Sequence, residues 1–202
     1  MLLNAFLAII NFLLRGVVFL SIAVFGGLGT AWALIHSGSY LTTTREGPWA
    51  TWHSAGRKDA DPYTRANIVR TTALPISSTL ALTWRAVRDA DNSRLHSSCA
   101  YHIDMGTFEA EWWSLNVFDD TGRLIPNSAQ RHAFNTATAA RDPNGAISIV
   151  VSRDARPGNW LPTTGAGRFV LVLTVQDPNW VAAVVNSERE VILPPISTLE
   201  CR

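Results

Sequence analysis

Residues 112–122 read WWSLNVFDDTG. Trp113, Leu115 and Val117 alternate with Trp112, Ser114 and Asn116, so an extended chain here has one apolar face and one mixed face. The strand is expected over Glu109–Phe118. Asp119-Asp120-Thr121-Gly122 then supplies turn chemistry, and the chain is expected to return as a hairpin through Arg123–Ile125.

Outward from this stretch the same period recurs. Leu80, Leu82, Trp84 and Ala86 alternate with Ala81, Thr83, Arg85 and Val87, and Asp89–Ser93 is a turn. Asp142-Pro143-Asn144-Gly145 precedes a strand expected at Ala146–Ser152. Arg168–Val175 (RFVLVLTV) is apolar on both faces, as a central strand is. Upstream, Asp61-Pro62 gives a helix cap followed by proline at the first helical position, predicting a short helix over Tyr63–Ala73. Short strands at this spacing imply an all-β fold, a jelly-roll-like β-sandwich with a short helix.

The first 36 residues differ in kind. They contain one charged side chain, Arg15, and Val17–Ile35 is 19 residues without a charge. At about 1.5 Å per residue such a helix covers roughly the 30 Å hydrocarbon core of a bilayer. Asn4, Asn11 and Arg15 fall on one side of the preceding turns, which are expected to lie along the membrane surface before Gly16 lets the chain descend. Arg15 flanks the span on its N-terminal side, placing that end in the cytoplasm by the positive-inside rule. The apolar run exceeds the usual length of a cleaved signal, so a retained single-pass anchor is expected. The organisation read from sequence is an anchor over 1–36, a Gly-, Ser- and Thr-rich linker over 37–60 and a sandwich domain over 61–202. For a Gram-negative source, this implies an inner-membrane protein with its C-terminal domain in the periplasm.

With 17 Lys+Arg against 16 Asp+Glu, the chain has no basic footprint for nucleic acid. Its two cysteines, Cys99 and Cys201, are too few for a four-thiolate zinc site. In an oxidising compartment they form one disulfide closing about 100 residues, or remain two independent thiols.

Trp112-Trp113-Ser114-Leu115-Asn116-Val117-Phe118-Asp119, Gly122-Arg123-Leu124-Ile125-Pro126-Asn127, Arg131 and Asn159-Trp160-Leu161-Pro162 occur in this order. Together they resemble the bacterial family called domain of unknown function 1214, over roughly residues 45–180, with Asn116 where threonine is usual. The resemblance implies an all-β, jelly-roll-like sandwich and assigns no chemistry. It also implies a partner, because many members follow a companion domain of unknown function 1254 in one chain, whereas this chain has an anchor in that place.

No Gly-x-Ser-x-Gly elbow, phosphate loop or His-Glu-x-x-His is present, and no cofactor or metal is expected. His102 and Asp104 offer two metal ligands without an evident third. Glu109 and Glu111 share a strand face about 7 Å apart, which suits a solvated edge as well as a carboxylate pair. The candidate ligand site is an aromatic and amide set: Trp112, Ser114, Asn116, Arg131, Asn159 and Trp160. If they meet at one end of a sandwich, two indoles and a guanidinium suit a saccharide or an anionic amphiphile. Against this stand structural roles for Asn159 as a turn former, Trp160 as core and Arg131 as an ion-pair partner. The function expected is a binding or assembly module of the cell envelope, with an envelope hydrolase or transferase on glycan or lipid as the alternative.

Overall fold

The computed structural model describes residues 2–39, 41–52, 54–71, 76–108, 110–185 and 191–202. Helix α1 (Leu2–Ser37) is followed by strands β1 (Thr43–Glu46) and β2 (Trp49–Trp52), helix α2 (Pro62–Arg70) and strands β3 (Ala81–Ala86), β4 (Cys99–Gly106), β5 (Trp112–Asp119) and β6 (Ala133–Asn135). Strands β7 (Ile147–Ser152), β8 (Asn159–Pro162) and β9 (Phe169–Gln176), helix α3 (Pro178–Val185) and strand β10 (Ile196–Cys201) complete the chain.

The strands form two sheets, one of six in the order β1-β2-β3-β9-β5-β6 and one of four in the order β10-β4-β7-β8. β9 lies between β3 and β5, which accounts for its apolar residues on both faces. In register across the large sheet, Trp84 pairs with Leu173, which pairs with Leu115, and all three are fully buried. Facing them from the small sheet are Ile103, Ile147, Ile149, Val151, Leu161 and Ile196, also fully buried, and one hydrophobic cluster joins the two layers. Tyr101 of β4 meets Phe169 of β9 edge to face across this core, with ring centroids 5.6 Å apart. The indole N–H groups of Trp84 and Trp113 have no hydrogen-bond partner, so both rings are held by packing alone.

The structure differs from the sequence reading in three places. The stretch read as a linker, 37–60, contains β1 and β2, which pair with each other and extend the large sheet beyond β3. Trp49 carries this hairpin into the core, where its indole N–H donates to the Pro194 carbonyl at 2.8 Å. α1 runs without interruption through Gly16, as one helix of 36 residues. The expected helix over Tyr63–Ala73 covers Pro62–Arg70 and is capped by Thr71, while Ala73 lies outside the described residues.

Cys99 and Cys201 lie opposite each other in the β4–β10 register and are joined by a disulfide, with S–S at 1.98 Å. The bridge spans 102 positions and fastens the last strand, which is exposed at all but its first residue.

Candidate functional site

The six residues singled out in sequence separate into two groups. On β5 the alternation holds: Trp113, Leu115 and Val117 are fully buried, while Trp112, Ser114 and Asn116 point to the outer face of the large sheet. There Asn116 donates to the Ser114 hydroxyl at 3.0 Å, and the row continues through Thr174 to Thr83, whose hydroxyls are 3.4 Å apart. Trp112 is exposed, opposite Gln176. This face presents one indole and a band of short polar side chains.

Asn159 and Trp160 belong instead to β8, on the far layer. The register explains why they are needed. β8 pairs in parallel with β7, Ile149 opposite Asn159 and Val151 opposite Leu161. Only residues 153–158 connect the two strands, whereas a parallel pair ordinarily requires a crossover of a dozen or more residues. Side chains hold the short link shut. The Asn159 amide donates to the Ser148 and Ala140 carbonyls at 2.9 and 2.8 Å, and its oxygen accepts from the Ala140 N–H at 2.8 Å. The Trp160 indole N–H donates to the carbonyl and hydroxyl of Ser152, both at 3.1 Å. Asn159 is buried and Trp160 half-buried.

Arg131 reaches toward this second group alone. It is exposed, lies over the Phe134 ring of β6 at 5.4 Å and donates from Nη1 to the Trp160 carbonyl at 3.3 Å. It therefore clasps the edge strands of the two sheets where they approach, using a free edge carbonyl that would otherwise be open to pairing. Its loop is tied by Asn127, which accepts from the Arg131 N–H and donates to the carbonyls of Ile125 and Arg131. Trp160 lies on the outer face of the small sheet, and Trp112, Ser114 and Asn116 lie on the outer face of the large one. The core separates them, so the expected cleft with two converging indoles does not form.

The acidic candidates are equally dispersed. Asp104 accepts from the Gly106 N–H at 3.0 Å in a local turn. Glu111 is exposed just ahead of β5, and Glu109 lies outside the described residues. Among the described residues no group of three His, Cys, Asp or Glu side chains could hold a metal ion. Asp119 serves its turn: the Thr121 hydroxyl, then the Arg123 and Thr121 N–H groups, hold its carboxyl below the usual carboxylate value.

A cleft of about 430 Å³ that sequence reading did not identify lies between the end of β4 and the segment preceding β10. Asp104, Phe108, Trp180 and Leu193 line it, with Phe108 and Trp180 rings 6.1 Å apart. Asp104 is its one titratable side chain among the described lining residues.

These features define a class: a two-layer β-sandwich, stapled by a disulfide and led by a long apolar helix. The chain belongs to the family described as protein of unknown function (DUF1214), whose model matches residues 80–180. Among solved structures it is similar to the VPA0106 protein from Vibrio parahaemolyticus, with 17% identity over 89% of this chain and 44% of that one, at a TM-score of 0.59. A second, an uncharacterised protein from Burkholderia cenocepacia, matches at 14% identity over 59% of this chain and 30% of that one, at a TM-score of 0.43. The chain thus spans less than half the length of the Vibrio protein, and that likeness concerns the fold alone. No curated protein matches it significantly.

Proposed function

We propose that this protein is a single-pass, membrane-anchored binding or assembly module of the cell envelope, with α1 in the inner membrane and the sandwich in the periplasm. The observation that carries the reading is α1 itself. Its apolar segment Ile9–Ser37 is long enough to cross a bilayer and has no part buried against the sandwich. The Cys99–Cys201 disulfide supports an oxidising compartment, and Arg15 at the N-terminal flank supports a cytoplasmic N-terminus. The chain crosses between the two sheets at β3–β4, β4–β5, β6–β7, β8–β9 and β9–β10, which supports a jelly-roll-like sandwich.

A binding role fits the surfaces better than chemistry does. The described lining of the cleft between β4 and the segment preceding β10 has one carboxylate and no second titratable group, and acid–base catalysis requires groups in complementary roles. The companion reading is that a separate protein carrying the domain of unknown function 1254 docks on the sandwich. Its support is that this chain spans 44% of the Vibrio protein it resembles. Alkaline carbonate extraction of the full chain, followed by affinity capture from gently solubilised membranes, tests both parts. The chain should stay with the bilayer and retain a protein bearing the companion domain. Release by carbonate refutes the anchor, and capture of the chain alone refutes the partner.

A further inference from the structure

The cleft between β4 and the segment preceding β10 opens where β4 outruns its neighbour. In the β4–β10 register Ile103 faces Ile196, so the next residue along β4, Asp104, faces Pro195. Asp104 donates its N–H to the Pro195 carbonyl at 3.4 Å, but proline has no N–H with which to return the bond. The Asp104 carbonyl therefore stands at the β4 edge without its ladder donor, on the side the cleft occupies. The carboxylate of the same residue is exposed. Its Oδ1 accepts from the Gly106 N–H at 3.0 Å, and among the described residues no basic side chain pairs with it. Both acceptors belong to one residue, so no second element has to bring them together.

The remaining wall is apolar. Phe108 and Trp180 supply two rings with centroids 6.1 Å apart, and Ile192, Leu193 and Pro195 come from the segment before β10. That segment is fixed from behind, because the Trp49 indole N–H holds the Pro194 carbonyl at 2.8 Å and Leu193 is buried. Ile192 nevertheless keeps 80% of its surface in water, an apolar side chain left for a ligand to cover. At about 430 Å³ the cleft falls within the roughly 300–1,000 Å³ of sites for small organic ligands. Asp104 carries the one charge of the described lining. An anion would meet like charge there. A cation meets a carboxylate and an open carbonyl, beside aromatic rings whose faces attract positive charge.

We propose that this cleft binds a small organic cation, a primary alkylammonium whose NH3+ group donates to the carboxylate and carbonyl oxygens of Asp104. Its chain lies against Phe108, Ile192 and Leu193. This deepens the binding reading of the protein, and rests on it, by naming the class of ligand. An ammonium has three donors, enough for both oxygens of Asp104 with one left for water. The bond to the carboxylate is charge-assisted, the stronger kind, and the chain contributes by leaving water.

The test uses the full chain in phosphatidylcholine nanodiscs, titrated with hexylammonium, and reads the amide chemical shifts of Gly106, Thr107 and Leu193. These should move saturably. Asp104→Asn keeps an oxygen for the Gly106 N–H while removing the charge, and should weaken hexylammonium about tenfold or more. Ile192→Ser should weaken it about threefold, the loss expected when part of an apolar contact is removed. Both positions are exposed, so both variants should fold. Hexanol, which has the chain without the charge, should bind about tenfold more weakly than hexylammonium, and hexanoate should not bind. Equal affinity for hexanol, or an undiminished affinity in Asp104→Asn, overturns the assignment of a cation. Unchanged affinity in Ile192→Ser overturns the placement of the chain, and the absence of any saturable shift with hexylammonium overturns the site. Carbonate extraction and affinity capture read the anchor and the companion independently, so the cleft assignment can fail while that reading stands.

Discussion

α1 and the sandwich are built from the same apolar residue types in opposite situations. Phe12, Phe19 and Phe25 of α1 are 76–77% exposed, while Trp84, Trp113 and Leu115 of the sheets are fully buried. A sheet face can bury its side chains against a second sheet of the same chain, and here it does. A helix apolar on all sides has no such internal partner. On the anchor reading proposed above, the difference teaches that the two regions are stabilised by different solvents: the sandwich by expelling water from its own core, and α1 by hydrocarbon. Among the described residues they meet at the foot of the sandwich, where Asn67 and Arg45 satisfy carbonyls at the end of α1.

The largest effect that could break this contrast comes from trimming one aromatic residue in each region. Trp113→Ala should destabilise the sandwich by about 3–5 kcal/mol, as large-to-small changes in a packed core do, whereas Phe19→Ala should leave its melting temperature unchanged. Because the Trp113 indole N–H has no partner, Trp113→Phe should recover most of the loss. A similar loss for Phe19→Ala, read by thermal melting in bilayers, would mean that α1 belongs to the core.

Next in size is the staple. Replacing both cysteines, Cys99→Ser with Cys201→Ser, removes the link that fastens β10 and should cost about 2–4 kcal/mol, read as a lower denaturant midpoint. It should also expose β10 to exchange before the remaining strands, since five of its six residues are exposed.

The Asn159, Trp160 and Arg131 group of the candidate site gives a smaller contrast within the sandwich. Asn159→Ala leaves the Ala140 N–H and the Ala140 and Ser148 carbonyls without the partners they now have, and should cost about 1–3 kcal/mol. Arg131→Ala removes an exposed side chain and should cost less than about 1 kcal/mol. Equal melting points for the two variants would refute the assignment of Asn159 as the lock of the β7–β8 link.

The smallest effect lies at the junction of the two regions. Burial raises the Asp61 carboxyl, but the Thr64 side chain and N–H, the Ser54 hydroxyl and the Tyr63 N–H outweigh it, and the pKa falls below the ordinary value. The ionised cap therefore contributes fully above the unfolded carboxylate value near pH 4. That contribution is lost as pH falls through the lower, folded value. α2 should fray in that acid window before the sandwich melts. Asp61→Asn keeps a capping oxygen and should flatten the pH dependence, while Asp61→Ala should cost about 0.5–2 kcal/mol at neutral pH; both are read by α2 amide exchange.

These contrasts also mark what sequence discloses. β3, β5, β7 and β9 are legible because each alternates or is apolar throughout, and α1 because it is long and uncharged. β10 is not, since five exposed residues carry no period without the β4 partner that pairs with them. β1 and β2 have the threonine, glycine and proline composition of a linker, and only Trp49, buried at the hairpin, reveals that they join the sheet. α3 has a signal that sequence reading overlooked: Asp177-Pro178 repeats Asp61-Pro62, and the Asp177 carboxylate accepts from the Trp180 N–H as an N-cap does. The candidate site is the least legible. Composition identified Asn159, Trp160 and Arg131, but only the parallel β7–β8 register shows two of them closing a link too short for its geometry and the third clasping the edge beside it.

A reporter fused at Arg202 tests most directly whether the two regions occupy different phases, with the sandwich outside the cytoplasm. A phosphatase that matures only under oxidising conditions should be active there, and a reporter that fluoresces only in the cytoplasm should be dark. Bright cytoplasmic fluorescence with an inactive phosphatase would contradict the account.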